Sequence, residues 1–262
     1  MKKQRLAFQA EWIKTRSSRM VWATMLAFGL APLMGGVFIL AVQHGDAFAQ
    51  DGALAAKAEA MNFQDNWKSY FDILTQAIGV GGVMVFGFVA SWIFGREYSD
   101  GTAKDLLALP TSRTQILNAK FMIYLIWCLM LVCSNLLVGG LIGLALQLSG
   151  PVFPMLGQLL SDYFITTILT ILIGTPVAFF ATWGKGYLPP LGAVALTLVL
   201  AQILAALGLG AWFPWSIPGL YSGAGGAYKD LLDGFSYLVV FLTALAGYLA
   251  TVFYWNYTDQ LK

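Results

Sequence analysis

Residues 73–94 read Ile73-Leu74-Thr75-Gln76-Ala77-Ile78-Gly79-Val80-Gly81-Gly82-Val83-Met84-Val85-Phe86-Gly87-Phe88-Val89-Ala90-Ser91-Trp92-Ile93-Phe94. No Asp, Glu, Lys or Arg interrupts them. A helix needs about 20 mostly apolar residues to cross a hydrocarbon core, and this stretch meets that length between Asp72 and Arg96. The same silence recurs along the chain. It holds from Met20 to Gly45, Phe121 to Ser161, Tyr163 to Gly184, Gly186 to Tyr228 and Gly234 to Thr258. The charges lie in clusters between these runs.

The composition agrees. Of 262 residues, 58% are hydrophobic and 11% charged, against about 25% charged in soluble domains. So few charges cannot cover a soluble globule, which excludes a water-soluble enzyme, a disordered chain and a nucleic-acid binder. Two silent runs exceed one span. Gly150-Pro151 and Pro154 end a helix near Leu148, and Trp212 to Gly219 breaks the helical pattern after Gly208. The expected fold is therefore all-α and integral to the membrane, one transmembrane domain over 1–262. Its six spans lie at 20–42, 73–94, 118–148, 160–183, 187–209 and 235–255.

Lys and Arg favour the cytoplasmic side of short loops. With the N-terminus inside, the inner face carries Lys2, Lys3, Arg5, Lys14, Arg16, Arg19, Arg96, Lys104, Arg113, Lys120, Lys185 and Lys262, and the outer face only Lys57, Lys68 and Lys229. An even number of spans places both termini in the cytoplasm. Ala47-Phe48-Ala49 resembles a signal-peptidase site, but Met20–Val42 exceeds the roughly 7–15 residues of a signal h-region and reads as a retained first span.

Residues 1–19 read as an interfacial amphipathic helix. Leu6, Ala10 and Ile13 share a face, Phe8 and Trp12 are paired at i, i+4, and the cations suit anionic headgroups or simply set topology. Residues 54–72 read as an outer helix with Trp67, Tyr70 and Phe71 at the interface. Residues 210–234 read as an irregular outer element before the sixth span, which needs cover from protein or a wet cavity.

The inner loop reads Gly95-Arg96-Glu97-Tyr98-Ser99-Asp100-Gly101-Thr102-Ala103-Lys104-Asp105-Leu106-Leu107-Ala108-Leu109-Pro110-Thr111-Ser112-Arg113. Thr102 with Asp105 is a helix-start pattern, and the short helix stops at Pro110. Ser112 with Gln115 is a second start, of capping-box type, whose helix runs through Lys120 into the third span. Leu106, Leu107 and Leu109 form an apolar surface made to be covered by a partner or by headgroups.

Catalytic signals are missing. No phosphate-binding loop, Gly-x-Ser-x-Gly or His-Glu-x-x-His occurs, and His44, the lone histidine, sits at the outer end of the first span. Cys128 and Cys133, five residues apart on one helix, point in different directions and read as bundle thiols. No acid or base sits mid-span, as ion-coupled carriers would require; Asp162 is near the outer end of the fourth. Gln76, Asn135, Gln147, Thr166, Thr167, Thr170 and Gln202 either line a substrate path or join helices by hydrogen bonds. Gly139-x-x-x-Gly143 and Ala246-x-x-x-Ala250 permit close helix packing without locating a dimer interface. No metal site is expected.

The inner loop resembles that of the permease subunits of type-2 ABC (ABC-2) exporters, which include antibiotic-resistance, lantibiotic-immunity and sodium-efflux permeases. The shared pattern is Glu97-Tyr98-x-x-Gly101-Thr102-x-Lys104-x-Leu106-Leu107-x-x-Pro110-x-Ser112-Arg113, followed by Lys120. The resemblance implies that 97–113 is a coupling segment docking on a separate ABC ATPase subunit, with ATP and Mg on that partner and no cofactor on this chain. It also implies a second permease copy or paralogue, a bacterial inner (plasma) membrane, and export of a hydrophobic or amphiphilic substrate such as a drug, peptide antibiotic or lipid. Leu106, Leu107 and Leu109 would enter a socket in the partner, while Glu97, Lys104, Asp105 and Arg113 set register at its rim and Gly101 permits the turn before the helix. Tyr98, Thr102 and Pro110 belong to the same segment. Two rival readings are a membrane-embedded enzyme, which requires Asp162, Asn135, Gln147 and Gln202 to converge, and a non-transporting scaffold or sensor.

Overall fold

A computed structural model of the chain describes residues 2–43, 64–102, 111–150, 152–224 and 226–257. Helix α1 spans Lys2–Arg16 and α2 Arg19–Gln43. Ser18 between them accepts the Met20 N–H at 3.1 Å and so caps α2. Helix α3 covers Trp67–Ser99 with a π turn at Ala77–Gly81. Helix α4 is Arg113–Ala145, α5 Val152–Trp183 and α6 Leu188–Ala206. A short α7, Ile217–Tyr221, precedes α8, Gly234–Tyr257. Among the described residues, helices α2 to α6 and α8 are the six long and apolar enough to cross a membrane.

Several expected boundaries move. Helix α3 begins at Trp67, where the Asn66 side chain accepts the Ser69 N–H at 2.8 Å. It runs through Ser99, so Glu97 and Tyr98 stand on a helix and not in a loop. Tyr70 and Phe71 are buried in the core, not set at an interface, and the Tyr70 hydroxyl donates to the Pro32 carbonyl at 3.0 Å. Helix α5 starts at Val152, earlier than the expected 160, because Pro154 falls in its first turn, where no intrahelical N–H is lost. The 44–63 part of the outer loop, with His44 and Ala47-Phe48-Ala49, lies outside the described residues.

Small residues set the helix spacing. Cβ atoms added at Gly139 and Gly143 would lie 2.6 Å from Leu74 and 2.5 Å from Trp67, so this pair seats α3 against α4 within one chain. Gly247 of α8 meets the backbone of Pro176 in α5, where an added Cβ would stand 2.6 Å away. The Leu172 carbonyl, freed by Pro176, accepts the Thr175 hydroxyl at 2.9 Å.

The irregular element is protein-covered, as its backbone requires. A 3₁₀ turn at Gly210–Trp212 packs against α6 and α8, and α7 packs against α5 and the π turn, while a second 3₁₀ turn at Gly226–Leu231 packs on α7 with Leu231 exposed. Ile217 is buried with Val83, Leu169, Ile173 and Val240. Gly79 of the π turn touches α7 so closely that a Cβ there would lie 2.5 Å from the Pro218 oxygen.

Candidate functional site: the frame of the 97–113 segment

The segment is held between two stiff helix ends. Helix α3 closes with the Gly101 N–H donating to the Tyr98 carbonyl at 3.3 Å and the Thr102 N–H to the Glu97 carbonyl at 2.9 Å. Gly101 has φ +71°, the left-handed cap residue this double bond requires. On the far side the Ser112 hydroxyl accepts the Gln115 N–H at 3.3 Å and starts α4. The reciprocal half of the capping box is missing, since Gln115 Oε1 has no partner. Lys104, Asp105, Leu106, Leu107, Leu109 and Pro110 lie outside the described residues.

Where the end of α3 meets the start of α4, charges meet inside the protein. Lys120 of α4 is 0% exposed. Its Nζ donates to Glu97 Oε1 at 2.7 Å, the Ile93 carbonyl at 2.9 Å and Glu11 Oε2 at 3.2 Å. Arg96 reaches Glu11 at 3.4 Å and Glu97 at 3.5 Å, and its guanidinium lies 4.4 Å from the Trp92 ring centroid. Lys14 approaches Glu11 at 3.1 Å and Glu97 at 3.7 Å. Glu11 and Glu97 are each only 2% exposed. Glu97 therefore faces inward, away from the rim contact expected of it.

The cluster fastens α1 to α3 and α4. The face of α1 that packs inward is Ala7, Glu11 and Thr15, at helical spacing. Leu6 and Ile13, 62% and 68% exposed, point outward as an interfacial face would. Phe8 and Trp12 stack at 6.3 Å between these faces. The sequence signal for Glu11 was its isolation, the lone acid on a basic segment.

Burial pushes the Glu11 carboxyl up, but Lys120, Lys14 and Arg96 together outweigh it and hold it below its ordinary 4.5. A depressed carboxylate contributes stability above its unfolded-state value and loses it as pH falls through the folded one. The thermal midpoint of the purified chain is therefore expected to keep this contribution from neutral pH down to about 4.5 and to lose it below. Comparison with Glu11→Gln over that range isolates it; a contribution lost well above 4.5 would contradict the arrangement.

Helix α8 closes the frame. Arg113 Nη1 donates to the carbonyls of Trp255 and Asn256 at 3.1 and 3.3 Å, a cation at a helix C-terminus. Asn256 Nδ2 donates to Thr114 Oγ1 at 3.2 Å, and Tyr98 meets Trp255 edge-on at 5.9 Å. The described C-terminal end of the chain thus lies beside Tyr98, Arg113 and Thr114, and Gln4 of α1 donates to the nearby Gln115 carbonyl at 3.3 Å.

The intramembrane polar residues do not converge. Asn135 is buried and accepts the Tyr163 hydroxyl at 3.1 Å. Thr166 and Thr170 bond back to the Asp162 and Thr166 carbonyls at 2.7 and 2.8 Å. Thr170 also reaches the Ile78 carbonyl of the π turn at 3.4 Å, one of the groups a π turn displaces. Asn135 and Thr170 thus join helices, while the bond of Thr166 stays within α5. Gln147, with φ +49°, sits exposed just past α4, and Gln202 is exposed on α6. Gln76 borders two cavities, of about 490 and 270 Å³. Asp162 accepts the Tyr221 hydroxyl at 3.2 Å and pairs with Lys229 at 3.5 Å. The polar cluster demanded by the membrane-enzyme reading is not formed. Among the described residues no group of three or more His, Cys, Asp or Glu is placed to hold a metal.

A model of the family described as ABC-2 family transporter protein matches residues 7–203. The bacitracin transport permease protein BCRB of Bacillus licheniformis is 27% identical over 178 residues, which cover 68% of this chain and 85% of that protein. No solved structure matches.

Proposed function

Because the chain belongs to the ABC-2 transporter family, and is thus a multi-pass transmembrane transporter subunit, we propose that it is the permease half of an ATP-driven exporter of a hydrophobic or amphiphilic substrate. A separate ABC ATPase subunit docks on residues 97–113, binds ATP and Mg, and supplies the energy. The permease switches between inward- and outward-facing states biased by nucleotide on that partner. A second copy or paralogue completes the assembly, and both termini face the cytoplasm of a bacterial cell. The relative named for bacitracin transport supports an amphiphilic cargo such as a drug, peptide antibiotic or lipid.

The observation that carries this reading is the frame. A push on residues 103–110 reaches α3 through its Gly101 cap and α4 through its Ser112 cap. The Glu11–Lys120–Glu97 cluster passes it to α1, and Arg113 passes it to α8. A loop that only joined two spans would not need both shoulders bound to two further helices.

The test is capture of the ATPase in mild detergent. The wild-type chain is expected to copurify with a soluble ATPase, and the Leu106→Asp, Leu107→Asp double variant to insert normally but lose it. Absence of an ATPase from both, under conditions that keep a control transporter intact, would overturn the exporter reading.

A further inference from the structure

At the end of the bundle away from α1, two cavities meet at one side chain. The first, about 490 Å³, is a groove between α2 and α3 lined by Ala31, Met34, Phe38, Ile73, Ala77 and Val80, with Gln76 the polar side chain among its lining residues. That volume is within the roughly 300–1,000 Å³ of ligand pockets. Met34 is 63% exposed, so the groove opens sideways toward acyl chains. The second, about 270 Å³, is a polar chamber bordered by Gln76, Lys68, Asp72, Asp162 and Lys229. Gln76 belongs to both because it immediately precedes the π turn, which widens the helix and re-aims the residues around it.

The chamber's charges select its guest. Lys68 pairs with Asp72 at 2.8 Å along α3, and Lys229 pairs with Asp162 at 3.5 Å across to α5. Two cations and two anions face one space, so its formal charge is zero. A head carrying one charge of each sign can exchange into both pairs without leaving a residue unmatched. A purely anionic head would be set against Asp72 and Asp162, and a purely cationic head against Lys68 and Lys229; like charges brought together are the usual basis of rejection.

We propose that this groove and chamber form one binding site for an amphiphile with a zwitterionic head, its chain between α2 and α3 and its head among Lys68, Asp72, Asp162 and Lys229. Its role as cargo rests on the exporter reading. In the proposed orientation the site occupies the outer half of the membrane and is entered from the side.

Three dodecyl probes test this on the full-length chain in excess dodecyl maltoside, an uncharged detergent: dodecylphosphocholine, dodecyl phosphate and dodecyltrimethylammonium. Binding is read by equilibrium dialysis of each labelled probe at trace concentration. The zwitterion is expected to bind about tenfold more tightly than either charged probe, a ratio well within the reach of differential electrostatics. Gly81 also lines the groove, and a Cβ there would meet nothing within 4 Å, so Gly81→Leu starts its side chain in open groove space. It should cut zwitterion binding about tenfold while the thermal midpoint holds or rises. Lys68→Glu makes the chamber net negative and should turn the preference toward the cationic probe. Equal binding of all three probes, or zwitterion binding untouched by Gly81→Leu, overturns the proposal. The assay needs no ATPase. Probe selectivity without ATPase capture leaves the site standing and removes the exporter reading, whereas capture without selectivity removes the site alone.

Discussion

Replacing Glu11 by Met is expected to release α1 from the bundle and to cost about 3–5 kcal/mol, the usual range for breaking a buried ion pair from one side. The cluster holds three cations, Lys14, Arg96 and Lys120, around two carboxylates. Removing a carboxylate leaves three cations about Glu97, with Lys120 wholly buried among them. Removing Lys120 instead leaves two charges of each sign, with Arg96 and Lys14 still in reach of both acids. Glu11→Met should therefore destabilise more than Lys120→Met, although Lys120 makes the shortest contact. The double variant Glu11→Met, Arg96→Met restores the original imbalance of one positive charge and should recover part of the loss. Thermal midpoints in mild detergent give the order. Maleimide labelling of Ala7→Cys, buried on α1's inner face, reports release once the exposed Cys133 is replaced by Ser. Equal effects of the two single variants would show that pairwise distance, not the charge count, governs the cluster.

This cluster explains why a basic amphipathic segment stays with its transporter. A surface helix held only by lipid would slide independently of the spans. Helix α1 is instead tied by a carboxylate to the last turn of α3 and to α4, the two helices that flank 97–113. In the proposed cycle, movement imposed on that segment must carry α1 with it.

The spans could be read from the sequence because burial in lipid imposes a one-dimensional rule: long runs without charge. The same rule concealed what happens where charges do appear. The resemblance of the loop put Glu97 at the rim of a partner's socket, yet α3 continues past it and turns it inward against Lys120. Lys120 was counted as a topology charge, although its Nζ is enclosed by two acids and a carbonyl. Pairings across more than a hundred residues, such as Glu11 with Lys120, leave no local pattern. Gly101 and Ser112 were legible because caps depend on near neighbours. The Gly139 and Gly143 spacing announced close packing but not its partner, which proved to be α3 of the same chain. The π turn, the groove beside it and the two ion pairs that border one chamber depend on tertiary contacts that hydropathy does not encode.

Gly95→Ala is the second substitution from which a large effect is expected, because one methyl group meets only backbone there. A Cβ at Gly95 would lie 2.6 Å from the carbonyl carbon and oxygen of Gly186 and 2.7 Å from the Tyr187 nitrogen. No side-chain rotation relieves such contacts, so α3 and the turn between α5 and α6 must separate. Forced overpacking of this kind costs about 1–3 kcal/mol, more than the up to about 1 kcal/mol that Ala gains over Gly in a helix. The control is Gly140→Ala on α4, where a Cβ meets nothing within 4 Å and the same propensity gain acts unopposed. The thermal midpoint should fall for Gly95→Ala and hold or rise for Gly140→Ala. Gly95 directly precedes Arg96 and Glu97, so the displacement also disturbs the frame beneath 97–113. Gly95→Ala should therefore still capture the ATPase through an unaltered 103–110 sequence but lose substrate-stimulated ATP hydrolysis, while Gly140→Ala retains both. Full stimulation in a destabilised Gly95→Ala chain would show that the α5–α6 turn serves stability without carrying the coupling.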